Sequence, residues 1–116
     1  MTKRQRPDKV YFKSPEFVVE KFQKRFNLED YTIVNALTTQ PSRFKEGTIY
    51  IIEKQVNHEV VIYTLLIDGW KFQIDVLPTD HGYKLEYCMF DNINGWYKFT
   101  SHESMLAIMK KSLHDR

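Results

Sequence analysis

The chain has 116 residues, of which 42% are hydrophobic, 15% aromatic and 28% charged, with a formal net charge of +2. Such a chain is long enough for one domain with a sizeable core, and its apolar content excludes disorder. Its longest nearly uncharged apolar run, Val60 to Ile67, falls far short of the roughly 20 residues that span a bilayer.

The charge is unevenly spread. Residues 1–25 carry eight Lys and Arg against three carboxylates, a net +5, whereas residues 26–116 carry nine against twelve, a net −3. A basic arm on a mildly acidic body points to a negative partner, either nucleic acid or an acidic protein face. Cys88 is the single cysteine, so no intrachain disulfide forms and a reducing, cytoplasmic setting is expected. No apolar stretch follows the basic N-terminus, which points away from a secretory signal peptide.

In chain order, residues 1–13 lack helical periodicity and contain Pro7, and they read as a basic arm with a short extended piece at Val10–Phe12. Residues 14–116 then form a single domain. Ser14-Pro15-Glu16 is a helix start: serine caps free amides, proline suits the first helical position, and glutamate favours the positive end of the dipole. Val18, Val19, Phe22 and Phe26 recur at three- and four-residue spacing, which predicts a helix over 15–26 that stops at Asn27. Residues 28–40 fit either a strand around Tyr31–Val34 or further helical turns, with the strand preferred on composition.

From Gly47 the pattern becomes strands and turns: Thr48–Lys54, a turn at Gln55–His58, and Glu59–Ile67. Asp68-Gly69 then marks a tight hairpin. Trp70–Leu77 alternates, with Trp70, Phe72, Ile74 and Val76 on one face and Lys71, Gln73 and Asp75 on the other. A turn at Pro78–Gly82, a strand Tyr83–Phe90, and Asn94-Gly95 leading into Trp96–Thr100 complete the sheet. Val60–Ile67 is apolar on both faces, so the expectation is a central strand covered from two sides, by helices on opposite faces or by strong curling of the sheet. A capping box of Thr100 and Glu103 opens a last helix over 101–113, with Met105, Leu106, Ile108, Met109 and Leu113 as its apolar stripe. The fold class is α+β: an antiparallel meander of five or six strands with one amphipathic helix before it and one after. The segment Ile67-Asp68-Gly69-Trp70 is echoed by Ile93-Asn94-Gly95-Trp96, a similarity that hairpin turn preferences produce readily.

No catalytic signature stands out. His58, His81, His102 and His114 lie at no ligand spacing from one another or from Cys88, so neither a metal nor another cofactor is expected. Asp80-His81-Gly82 reads as a turn rather than an acid–base pair, and Cys88, between Tyr87 and Met89, reads as a packed thiol. With four glycines in total, no phosphate-cradling loop is formed. Strand aromatics beside Lys71, Lys84 and Lys98 have the composition of a sheet that stacks nucleic-acid bases, although packing beneath a helix is the commoner fate of such residues. Trp96 differs, because Tyr97 and Phe99 share a face and leave Trp96 pointing the other way with Lys98.

The order helix, antiparallel strands, helix resembles the SH2 fold. Gly47-Thr48-Ile49-Tyr50-Ile51 is similar to the start of its second strand, and Phe99-Thr100-Ser101 followed by Met105-Leu106 to its closing helix. The phosphotyrosine-reading arginine of that family falls near Ile52, and the opening tryptophan motif is missing, so the resemblance implies no phosphotyrosine binding. The expected function is that of a small non-enzymatic intracellular protein docking on a macromolecular partner. The alternative is nucleic-acid binding through the arm and first helix. The candidate contact residues are Lys3, Arg4, Arg6, Lys9, Lys13, Lys21, Lys24, Arg25, Trp96 and Lys98.

Overall fold

A computed structural model describes residues 14–80, 82–92 and 95–114. The arm, with Lys3, Arg4, Arg6, Lys9, Lys13 and the extended piece at Val10–Phe12, lies outside the described residues, as do His81, Ile93 and Asn94.

Helix α1 spans Pro15–Arg25, its first turn capped by the Ser14 hydroxyl, which accepts from the Phe17 amide at 3.1 Å. Asn27 ends it in the left-handed region (φ 58°), and the Leu28 amide folds back to the Gln23 carbonyl at 2.8 Å. Strands β1 (Thr32–Asn35), β2 (Thr48–Asn57), β3 (Val60–Ile67), β4 (Trp70–Thr79), β5 (Gly82–Asn92) and β6 (Gly95–Phe99) follow, and helix α2 spans His102–His114. The six strands lie side by side in chain order.

The sheet is mixed rather than purely antiparallel. β1 runs parallel to β2, pairing Thr32 with Thr48 and Asn35 with Ile51. Short connections force antiparallel pairing from β2 onward, but residues 36–47 between β1 and β2 are long enough to carry the chain back for a parallel pair. The Asp68 carboxylate fastens this crossover, accepting from the Tyr31 hydroxyl at 2.6 Å and the Gly47 amide at 2.8 Å.

The Asp68-Gly69 hairpin has the tight loop its sequence suggested, and the other hairpins are tighter than theirs. Asn57 pairs with Val60, Ile67 with Trp70, Thr79 with Gly82 and Asn92 with Gly95, so two residues form each loop. Pro78 therefore lies within β4, opposite Tyr83, instead of starting a turn. At Asp68-Gly69 both loop residues have positive φ (51° and 84°), the twist a two-residue hairpin needs. The α2 cap is also displaced by one residue. The Ser104 amide donates to the Ser101 hydroxyl at 3.1 Å and the Ser101 amide to the Ser104 hydroxyl at 3.0 Å, a reciprocal box of two serines in place of Thr100 and Glu103.

Both helices cover the same face of the sheet. Val18, Val19 and Phe22 of α1, Phe26 at its C-terminal cap and Met105 of α2 join Ile49, Tyr63, Leu65, Phe72, Cys88, Phe90 and Phe99 in one core. Phe22 is its centre, with ring centroids 5.0 Å from Phe26, 6.2 Å from Phe72 and 6.5 Å from Phe99. Among the described residues the two-sided cover expected for β3 is not found: Val61, Tyr63, Leu65 and Ile67 are buried beneath the helices, while Val60, Ile62, Thr64 and Leu66 are only half-buried on the reverse face. Part of that reverse face is covered by the crossover, whose Phe44 ring meets Tyr50 edge-on at 4.8 Å. No helix among the described residues is long and apolar enough to cross a membrane.

Candidate docking face

The register decides which side chains occupy the face the helices leave open. In β4 the partners of Ile62, Thr64 and Leu66 are Asp75, Gln73 and Lys71. In β5, Met89 lies opposite Gln73 and Tyr87 opposite Asp75, and in β6, Lys98 lies opposite Met89 and Trp96 opposite Asp91. Alternation of side chains along each strand keeps these residues together on the open face.

Trp96 and Tyr87 are 43% and 42% exposed, and the Lys98 ammonium sits 4.5 Å from the centre of the Tyr87 ring. This cation–π contact holds Lys98 along the surface, leaving Tyr87, Met89, Trp96 and Lys98 as one aromatic corner at β5–β6. Beside it Asp75 is half-buried; burial raises its pKa, the Gln73 amide donating at 3.4 Å opposes that, and the Glu86 carboxylate adds to it. Lys84 pairs with Glu86 at 3.2 Å. Further across the sheet, the Thr64 hydroxyl donates to Glu53 at 3.3 Å. Along strands β2 to β6 on this side, Lys71, Lys84 and Lys98 stand against Glu53, Asp75, Glu86 and Asp91, so the strands give the face no positive excess.

The basic residues of α1 are on the other side, and two of them serve the fold. Lys21 donates to the Tyr83 carbonyl at 3.1 Å and lies 4.9 Å from the centre of its ring. Arg25 donates to the Thr100 carbonyl at 3.2 Å and lies 5.1 Å from the centre of the Phe26 ring. Lys24 is exposed. Lys21, Lys24 and Arg25 are thus separated from Trp96 and Lys98 by the thickness of the sheet.

The echo between the two tryptophan segments does not survive as a structural repeat. Asp68-Gly69 is a hairpin loop and Trp70 the first paired residue after it, whereas Gly95 is itself paired and Trp96 comes second. A one-residue offset reverses the face. Trp70 therefore packs 5.2 Å from Phe90 on the core side, and Trp96 faces away.

Cys88 is buried on the side opposite the open face, where desolvation raises its thiol to about 12 despite the nearby Arg25 guanidinium. Among the described residues, no group of three or more His, Cys, Asp or Glu side chains could hold a metal ion. His58 occupies a turn with φ 58°, and His102 begins α2. Tyr87, Met89 and Asp75 are the members of the face that residue types alone did not mark. Their signal is the pairing register, which sets Met89 opposite Lys98 and Tyr87 opposite Asp75. Comparisons with protein-family models, with curated proteins and with solved structures find no match for this chain.

Proposed function

We propose that this chain is a small, non-enzymatic intracellular binding protein that docks on a protein partner through the open face of its sheet. The observation that carries the reading is the aromatic corner: Trp96 and Tyr87, each more than two-fifths exposed, flank Lys98 on a face neither helix covers. Trp and Tyr are among the residues that dominate protein–protein affinity. The balance of acids and bases on this face favours a partner surface of mixed polarity over a phosphate backbone, which needs a positive excess. The alternative, nucleic-acid binding, rests on Lys3, Arg4, Arg6, Lys9 and Lys13 of the arm together with Lys24, on the helix side.

Photo-crosslinking residues placed singly at positions 87 and 24 separate the two. Docking through the face predicts a discrete protein adduct from position 87 and none from position 24, with capture reduced by Trp96→Ala. Adducts to nucleic acid from position 24, with none from position 87, would overturn the reading. Fluorescence anisotropy with labelled single- and double-stranded DNA and RNA completes the comparison. The nucleic-acid alternative predicts binding that falls steeply with salt and disappears when residues 1–13 are deleted.

A further inference from the structure

The last strand of the sheet is open on its outer side, and its chemistry is self-complementary. β6 pairs only with β5 among the described residues, and Trp96, Tyr97 and Lys98 are all exposed in succession. Tyr97 is 40% exposed although it faces the helix side of the sheet, so α2 leaves this part of the edge uncovered.

The direction of the free backbone groups follows from the hairpin. Asn92 and Gly95 close a loop of two residues, and the pair that closes such a loop must be hydrogen-bonded to each other, because the alternative would bond two adjacent loop residues. Bonded and non-bonded pairs then alternate along an antiparallel ladder. Phe90–Tyr97 and Cys88–Phe99 are bonded pairs, while Asp91–Trp96 and Met89–Lys98 are not. The amides and carbonyls of Trp96 and Lys98 consequently point outward, away from β5.

We propose that β6 pairs edge to edge with β6 of a second copy of this chain, antiparallel and two-fold symmetric about Tyr97. In that register Trp96 of each copy faces Lys98 of the other, and both are residues whose backbone groups point outward. Each such pair exchanges two main-chain hydrogen bonds. The only charged side chain of β6 is Lys98, and this register places it against the partner's indole, a favourable cation–π arrangement. It also sets Gly95 opposite Phe99, where a bulky side chain meets none. A two-fold about Lys98 would oppose two ammonium groups, which is destabilising across strands. A two-fold about Trp96 would carry Lys98 past Gly95, beyond the end of the strand. An isologous contact of this kind closes on itself as a dimer, and it removes an exposed edge that otherwise invites uncontrolled pairing. The inference stands on the strand edge; it shares Trp96 and Lys98 with the open face, and its test reads chain mass rather than partner capture.

Sedimentation velocity of the full chain from about 1 µM to about 1 mM, the span of weak to moderate protein association, tests it. The wild type is expected to pass from one to two chain masses. Trp96→Lys opposes two lysines and is expected to weaken the dimer at least tenfold. Adding Lys98→Glu to that variant opposes Lys and Glu and is expected to restore a dimer that salt now weakens. Both positions are exposed, and circular dichroism checks that the variants remain folded. Amide hydrogen exchange on the wild type gives an independent reading: the Trp96 and Lys98 amides slow with concentration, while that of Tyr97, already bonded to β5, does not change. A wild type that stays monomeric at the highest concentration, a Trp96→Lys variant that dimerises undiminished, or a double variant that stays monomeric would each overturn the proposal.

Discussion

Tyr63→Phe is the substitution whose outcome bears most directly on how the core is built. Tyr63 is fully buried in the middle of β3 beneath α1, and among the described residues its hydroxyl has no hydrogen-bond partner. A buried hydroxyl without a partner costs about 1–3 kcal/mol of desolvation. Phenylalanine keeps the ring and its contacts and removes only the oxygen, leaving a small void that returns part of the gain. The expected net effect is a stabilisation of about 1 kcal/mol, or roughly 3–6 °C in melting temperature for a domain of this size. Urea denaturation should show a higher midpoint with an unchanged slope. Alkaline pH supplies a second reading. Burial, with the Glu16 carboxylate adding to it, raises the Tyr63 phenol above its ordinary 10.0. The unfolded phenol therefore ionises first, and wild-type stability is intact below pH 10 and lost as the pH climbs through the folded value. Tyr63→Phe should lose less stability than wild type above pH 10. A variant that is destabilised by about 1 kcal/mol or more at pH 7 would show that the hydroxyl has a stabilising partner, and would refute the reasoning.

Three other outcomes follow from the same structure. Phe22→Ala removes the ring shared by α1 and the sheet and is expected to cost about 3–5 kcal/mol, a large share of an ordinary domain's stability, seen as a much lower urea midpoint. Asp75→Asn should be more stable than wild type at pH 7, because burial raises the Asp75 carboxyl and its ionisation opposes folding; the advantage should vanish in urea titrations at pH 3, where both forms are neutral. Cys88, raised from 9.0 to about 12 by burial, should make wild-type stability decline from about pH 9 upward, as the unfolded thiol ionises first. Cys88→Ala is expected to lose that early decline, and an identical pH profile for the two proteins would count against a buried neutral thiol.

The helices and most strand positions were legible because short-range physics determines them. Ser14-Pro15-Glu16 caps a helix wherever an apolar stripe follows, and Asp68-Gly69 turns a hairpin wherever strands flank it. The parallel pairing of β1 was not legible, since it depends on where residues 36–47 travel. The contacts that settle it, Tyr31 and Gly47 to Asp68 and Phe44 to Tyr50, join residues distant in sequence or brought together only by the crossover. Pro78 was misleading for a local reason. Proline breaks central strands because it lacks a donor, yet here it sits near the end of β4, one pair from the hairpin. At Ser101 and Ser104, two neighbouring capping solutions competed, and sequence preference for Glu at the third helical position selected the wrong one.

The candidate site was legible only in the half that depends on strand phase. Tyr97 and Phe99 share parity, so Trp96 and Lys98 had to share the other, and the register bears this out. Charge counting carried less information, because a basic residue on a helix has two possible employments. Its ammonium or guanidinium group either meets solvent and partners or reaches a main-chain carbonyl of its own fold. Lys21 and Arg25 reach the carbonyls of Tyr83 and Thr100, 62 and 75 residues away, tying the N-terminal helix to the last third of the chain. Each lies beside an aromatic ring that shields it. Charge reversal at either position therefore breaks a fastening of α1 before it tests any external contact. Lys24 is the position on that helix where a change of charge reports on a partner, and a loss of binding from Lys24→Glu alone would move the functional surface from the open face to the helix side.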